Sequence, residues 1–279
     1  AISCEDVIDV DANFQEPQLV IDAWINNNNE SQTIRLTNSQ NYFDSIFAQG
    51  VTGATVKVIK NNADTYIFED KGDGNYVWTP EGNETIGSIG DEYNLEVLKD
   101  DVLFNASTVI KRTALLDSIP VEYKIDELGY EDGFYIAAFA RDQPGIGDSY
   151  WIKAYKNDTL NNKPQEISLT FDGTFDPGSN FDGQGFISPI RESVNRVSDD
   201  NGFEPYNLGD KVRVEIHSIS NEAFKYMRIV QEQILNGDNT IFAIPVANAR
   251  GNITNTNTGN KALGFFNVAA IVQETVSIE

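Results

Sequence analysis

Short runs in which every second side chain is apolar recur through the first third of the chain. In "TIRLT" at 33–37 and "YNLEV" at 93–97, one face carries Ile34 and Leu36, or Tyr93, Leu95 and Val97, while polar residues take the other. That period predicts half-buried strands. Between the runs lie "NNNN" at 26–29, "NN" at 61–62 and "KGDGN" at 71–75, residues that tolerate positive φ and bond to their own backbone in turns. About seven such strands fall before residue 112 at short spacing, the pattern of a β-sandwich of immunoglobulin or transthyretin type. Lys99, Asp100 and Asp101 are placed to turn a hairpin between 93–98 and 102–108.

The pattern shifts at 111–120, which reads as a short boundary. It divides the chain into a tether at 1–16, a sandwich at 17–114 and a second, mainly β domain at 115–279. Strands are predicted at 121–126, 134–141, 150–156, 166–171 and 211–219. In the last of these Val212, Val214 and Ile216 share one face and Arg213, Glu215 and His217 the other, which places the histidine toward solvent. One segment departs from the β period. In "NEAFKYMRIVQEQILN" at 221–236, Phe224, Met227, Val230 and Ile234 recur at helical spacing, with Asn221 able to cap the start and Asn236 and Gly237 able to close the end. This single helix is expected to lie on a sheet. Segments 172–189 and 248–261, rich in Gly, Asn, Thr and Asp, read as long surface loops.

Composition sets limits on function. The 279 residues hold 40% apolar side chains, with 16 Phe and 11 Tyr, enough for a substantial core. Against 20 Lys and Arg stand 43 Asp and Glu, a formal charge of −23, which repels nucleic acid and bare anionic lipid. No apolar run is long enough to cross a bilayer as a helix. One cysteine excludes an internal disulfide, and one histidine excludes a His-rich zinc shell and offers a single base for a nucleophilic triad. No nucleophile motif accompanies it, so the expectation is a non-enzymatic protein. No phosphate-cradling glycine loop is present, since Gly145 and Gly147 lack a third glycine and a following helix.

Calcium prefers carboxylates on flexible loops. "FDGTFDPGSNFDG" offers Asp172, Asp176 and Asp182 as candidate ligands, and "EDKGDGN" offers Asp70, Asp73 and Asn75, although Asp-Gly pairs are also ordinary turn chemistry. Tyr150 and Trp151 form a dense aromatic pair that could stack on a ligand, as could Phe265 and Phe266. In an alternating strand one member of each pair belongs to the core.

The only cysteine sits at position 4. Ala1, Ile2, Ser3 and Cys4 resemble the last positions of a bacterial lipobox, in which small residues precede the cysteine that becomes diacylglyceryl-modified; a trimmed sequence accounts for the apolar signal segment that would stand before them. The polar stretch "EDVIDVDANFQEP" that follows is tether-like. "CEDVIDVD", "PQLVIDAWI", "VTGATVKV", "GDGNYVW", "DQPGIGDSYW", "FDGQGF", "PVANARGNI" and "ALGFFNVAA", in that order, resemble the successive landmarks of the domain of unknown function 4249 family, outer-membrane lipoproteins of Bacteroides-type bacteria. The resemblance implies a transthyretin-like sandwich followed by a second mainly β domain, and lipid attachment at Cys4. It also implies a surface-export signal, for which Glu5 and Asp6, with Asp9 and Asp11 behind them, are the matching acids. Three segments, at 44–46, 117–119 and 158–160, resemble the O-glycosylation sequon of the same bacteria.

The resulting expectation is a lipid-anchored, cell-surface protein of the outer membrane that assists a TonB-dependent transporter by capturing or gating a nutrient. Anchoring raises local concentration near the transporter mouth even where direct affinity is weak. The alternative is a structural accessory subunit of an envelope assembly or secretion complex. A capture protein should show a concave, aromatic-lined recess, and a scaffold a flat apolar patch.

Overall fold

The computed structural model describes residues 17–40, 47–177, 180–199, 202–237 and 249–279. Seven strands build the first sheet system: β1 (Leu19–Asn26), β2 (Gln32–Asn38), β3 (Thr55–Lys60), β4 (Asp64–Asp70), β5 (Asn75–Trp78), β6 (Glu92–Lys99) and β7 (Val102–Val109). Strand β4 passes from one layer to the other, pairing with β3 through Asp64 to Phe68 and with β5 through Glu69 and Asp70. The sheet thereby curls over itself. Its inward faces, including Ile21, Ala23, Ile25, Ile34, Leu36, Val58, Tyr93, Leu95 and Val97, form one buried core, so the alternation in the sequence does mark the inside of a sandwich-like fold.

Turn chemistry follows the sequence closely. The β6–β7 hairpin turns on Asp100 and Asp101, both at positive φ, the backbone demanded by a two-residue primed turn, and Asn61 and Asn62, also at positive φ, open the three-residue connection between β3 and β4.

After the sandwich come two short pairs. Strand β8 (Leu115–Ser118) bonds to β11 (Phe139–Arg141), and β9 (Val121–Lys124) to β10 (Gly133–Ile136). The strand expected at 134–141 is thus broken at Ala137 and Ala138, and the predicted boundary already contains a strand.

A second sheet is built on β12 (Ser149–Lys156). One edge of β12 carries β13 (Thr159–Leu160) and β14 (Ser168–Phe171). After a short helix α1 (Ser188–Glu192) and the small hairpin of β15 (Arg196–Val197) and β16 (Phe203–Glu204), β17 (Lys211–Ile219) pairs with the other edge. Helix α2 (Asn221–Gly237) follows, as the 3.6-residue period predicts. Its cap is Ser220, whose Oγ accepts from the Ala223 N–H at 3.0 Å, while Asn221 Oδ1 accepts from the Ser149 hydroxyl at 2.8 Å. Ala223, Phe224 and Met227 are buried and Gln231 donates to the Pro164 and Ile167 carbonyls, whereas Ile234 is exposed, so the packing loosens toward the end of the helix.

The last strands correct the domain division. Strand β18 (Thr254–Asn255) joins the edge of β7, and β19 (Leu263–Ala269) runs parallel to β1, both within the first sheet system. Only Ala270 then separates β19 from β20 (Ile271–Ser277), which pairs with β17 in the second sheet. Residues 115–279 are therefore not a self-contained second domain: its late strands complete the sandwich. The physical reason is burial on both sides. Phe266 and Val268 enter the sandwich core while Phe265 enters a separate cluster with Leu169, Phe171, Phe224 and Met227, so β19 presents no solvent face and no period-2 signal.

Candidate functional site

Two arrangements gather chemistry-bearing side chains. The first is a clasp on the loop between β11 and β12. Arg112 reaches over it, its guanidinium donating to the carbonyls of Gln143, Pro144 and Gly145 and to Asp148. From below, Asp172 Oδ1 accepts the Gly147 and Asp148 N–H groups, each at 2.8 Å, and Asp182 Oδ1 accepts the Gly145 N–H at 2.7 Å. Asp142 takes the Tyr150 hydroxyl at 2.6 Å and the Gly183 N–H at 3.1 Å. Gly145 is at φ 128°, a backbone that favours glycine, and a Cβ there would lie 2.6 Å from the Arg112 guanidinium, which would have to shift. The segments "DQPGIGDSYW" and "FDGQGF", distant in sequence, are thus one structural unit.

Carboxylate oxygens of Asp142, Asp172 and Asp182 approach within 4.8 Å of one another. The trio is not an open cage, because Asp142 has both oxygens engaged and the other two each hold loop N–H groups. Asp176 is elsewhere, 3.3 Å from Arg228 on α2. Of the three predicted calcium ligands, two meet and one does not. In the other candidate loop Asp70 accepts from the Gly53 and Gly72 N–H groups, which hold its carboxyl below the usual range, and it is a turn.

The second arrangement lies where the outer face of β1 meets the second sheet. Trp151, Lys153 and Tyr155 of β12 stand in register with His217, Glu215 and Arg213 of β17. Against them Trp24 of β1 packs edge-on to Trp151 at 5.4 Å and stacks on Phe265 at 5.5 Å, with Tyr226 of α2 4.9 Å from Phe265. His217, expected to face solvent, is 7% exposed. Both faces of the second sheet are covered, one by its own core and the other by this contact, so alternation carried no solvent side.

Charges are held inside this contact. The His217 Nε2–H donates to Glu215 Oε2 at 2.8 Å, and Arg213 closes on Glu215 Oε1. Burial, with the nearby charge of Lys153, pushes the imidazole down to about 4. Burial also pushes against the Glu215 anion, but its bonds to His217 and the charges of Arg213 and Lys153 prevail and hold it below the usual carboxylate range. The Lys153 ammonium lies 4.0 Å over the Trp151 ring, and burial lowers its pKa to about 8. Among the described residues it makes no ion pair.

Beside this network opens a recess of about 330 Å³, lined by Val20, Asp22, Arg35, Thr37, Phe47 and Tyr226 together with Ala48 and Gly264. Asp22 keeps contact with solvent, yet the surrounding protein raises its carboxyl above the usual range against the pull of Lys153 and Arg35.

Tyr150 and Trp151 separate as neighbours in a strand must. Tyr150 is fully buried against Phe186 and bonded to Asp142, which removes it from any ligand surface, and only Trp151 belongs to the aromatic contact. Sequence reasoning missed Asp22, Trp24, Arg35 and Tyr226. Their one signal is that Asp22 and Trp24 occupy the polar phase of β1. Cys4, Glu5, Asp6, Asp9 and Asp11, and the sequon at 44–46, lie outside the described residues. In the other two sequons, Asp117 is held by Arg141 and Ile119 is buried, while Asp158 occupies a hairpin turn at positive φ.

Among the described landmark segments, "DQPGIGDSYW" and "FDGQGF" meet at the clasp and "PQLVIDAWI" and "ALGFFNVAA" pair as β1 and β19, and the model of the family described as Domain of unknown function (DUF4249) matches residues 5–275. The chain belongs to the DUF4249 family. No curated protein matches it. In this DUF4249 chain the match ends within β20, so it takes in both sheets and the strand that joins them.

Proposed function

We propose that this protein is a non-enzymatic lipoprotein, tethered through Cys4 to the outer membrane and facing the cell surface, that captures a nutrient for a TonB-dependent transporter. The observation that supports capture is the recess beside β1 and α2. It is concave, carries the ring of Tyr226 and sets a carboxylate and a guanidinium on one wall, which is the makeup of a small-molecule site.

A second reading, a structural subunit of an envelope complex, draws on Ile146. It stands 86% exposed at the tip of the clasped loop, with Phe181 also exposed on the adjoining turn, a rigid apolar point of the kind that protein partners bury.

The test is to tag the protein in its native envelope, extract it in mild detergent and identify the chains that copurify. Recovery of a TonB-dependent barrel in near-equal amount is the expected result. Recovery of an assembly or secretion machine instead selects the second reading. A wild-type protein found unlipidated in the soluble fraction, indistinguishable from Cys4→Ser, overturns both.

A further inference from the structure

Asp22 and Arg35 are direct cross-strand partners in the β1–β2 ladder, so their side chains leave the sheet on the same outer face. Opposite charges placed this way ordinarily close on each other. These do not: among the described residues neither makes an ion pair, and both remain in contact with solvent along the wall of the recess. A negative and a positive pole therefore stand side by side, neither neutralised by an ion pair, with the Trp24 indole as a side-chain partner of Asp22.

Three further features narrow what fits. The recess, at about 330 Å³, is at the small end of ligand pockets, which run from about 300 to 1,000 Å³. Tyr226, Val20 and Phe47 give it an apolar side, and the Thr37 hydroxyl adds a polar contact near Arg35. The chain's charge of −23 repels purely anionic solutes and favours ligands whose cationic end leads.

Building on the capture reading, we propose that the recess binds a small zwitterion, an amino acid or short peptide with free termini. Its ammonium sits on Asp22, its carboxylate on the Arg35 guanidinium, and its apolar side chain against Tyr226 and Val20. Arg35 suits a carboxylate because its planar fork can give two parallel hydrogen bonds. An ammonium on Asp22 would gain both the carboxylate and the adjacent aromatic ring.

The test is native mass spectrometry of the whole protein with an equimolar pool of free dipeptides at millimolar concentration. Three comparisons accompany it: the same pool N-acetylated and C-amidated, a pool of neutral maltooligosaccharides, and the variants Asp22→Asn and Arg35→Gln. Adducts are expected with the free dipeptides, with at least tenfold less from the capped pool and from either variant. Circular dichroism confirms that each variant folds, and Arg35, being exposed, keeps the test decisive if Asp22→Asn does not. No adduct from the free pool, or equal adducts from the capped one, overturns the zwitterion. Adducts with the maltooligosaccharides alone overturn it while leaving capture standing, and a transporter that copurifies without any adduct does the same.

Discussion

His217 and Glu215 stand two residues apart on one face of β17, joined by a 2.8 Å hydrogen bond from the imidazole Nε2–H. The bond fixes the tautomer, and the site accepts the ring only in its neutral form. With a folded pKa of about 4 and an unfolded value of about 6.5, the unfolded chain takes up the proton first as pH falls. Stability is therefore full above about 6.5 and declines toward pH 4, by about 3 kcal/mol. Urea unfolding at pH 7 and at pH 4.5 measures the loss, and His217→Gln should flatten it. An unchanged acid slope in that variant would sink this account.

Gly264 holds the parallel pairing of β1 and β19. It sits at φ 92°, and a Cβ there would fall 2.0 Å from the Ile21 carbonyl oxygen. Neither the strand nor that carbonyl can yield without parting the ladder, so Gly264→Ala should cost about 2 kcal/mol or more. The readout is the denaturant midpoint. A variant as stable as the parent would show that the two strands are free to separate locally.

Arg112→Ala removes the bonds to three loop carbonyls and the ion pair to Asp148. The expected global cost is about 2 kcal/mol. More telling is local hydrogen exchange: the N–H groups of Gly145 and Gly147, bonded to Asp182 and Asp172, should lose protection ahead of the β12 amides. Unchanged protection at both glycines would mean that the aspartates alone hold the loop.

Tyr150→Phe keeps the ring against Phe186 and deletes only the hydroxyl that Asp142 accepts at 2.6 Å. Asp142 is 2% exposed, and its oxygen would be left without that donor, a loss of about 1–3 kcal/mol. Dipeptide binding in the recess should be unaffected, because the hydroxyl lies on the opposite face of β12. Reduced ligand adducts in a folded Tyr150→Phe protein would contradict that separation.

The first seven strands and α2 were legible because each has one wet and one dry side, and a one-sided element writes its period into the sequence. Strands β17 and β19 are covered on both sides. That is why His217 was assigned to water and why the return of β19 to the first sheet went unseen. The clasp was half visible: Asp172 and Asp182 were singled out as acids, but their partners are backbone N–H groups of a loop about 25 and 37 residues earlier, which residue types do not announce. Asp22 and Arg35 share a ladder rung, and only the β1–β2 register makes them neighbours.

The placement of β19 also governs when the molecule can acquire its shape. Strand β1, near the beginning of the described chain, waits for residues more than 240 positions later to cover its edge, and β17 waits for β20. A nascent chain that has not yet supplied those residues carries two open strand edges, which favour pairing with other chains. Contacts of such sequence separation form slowly. Biosynthesis thus leaves an interval in which the polypeptide is most exposed to aggregation, and a holding chaperone would be most effective in that interval.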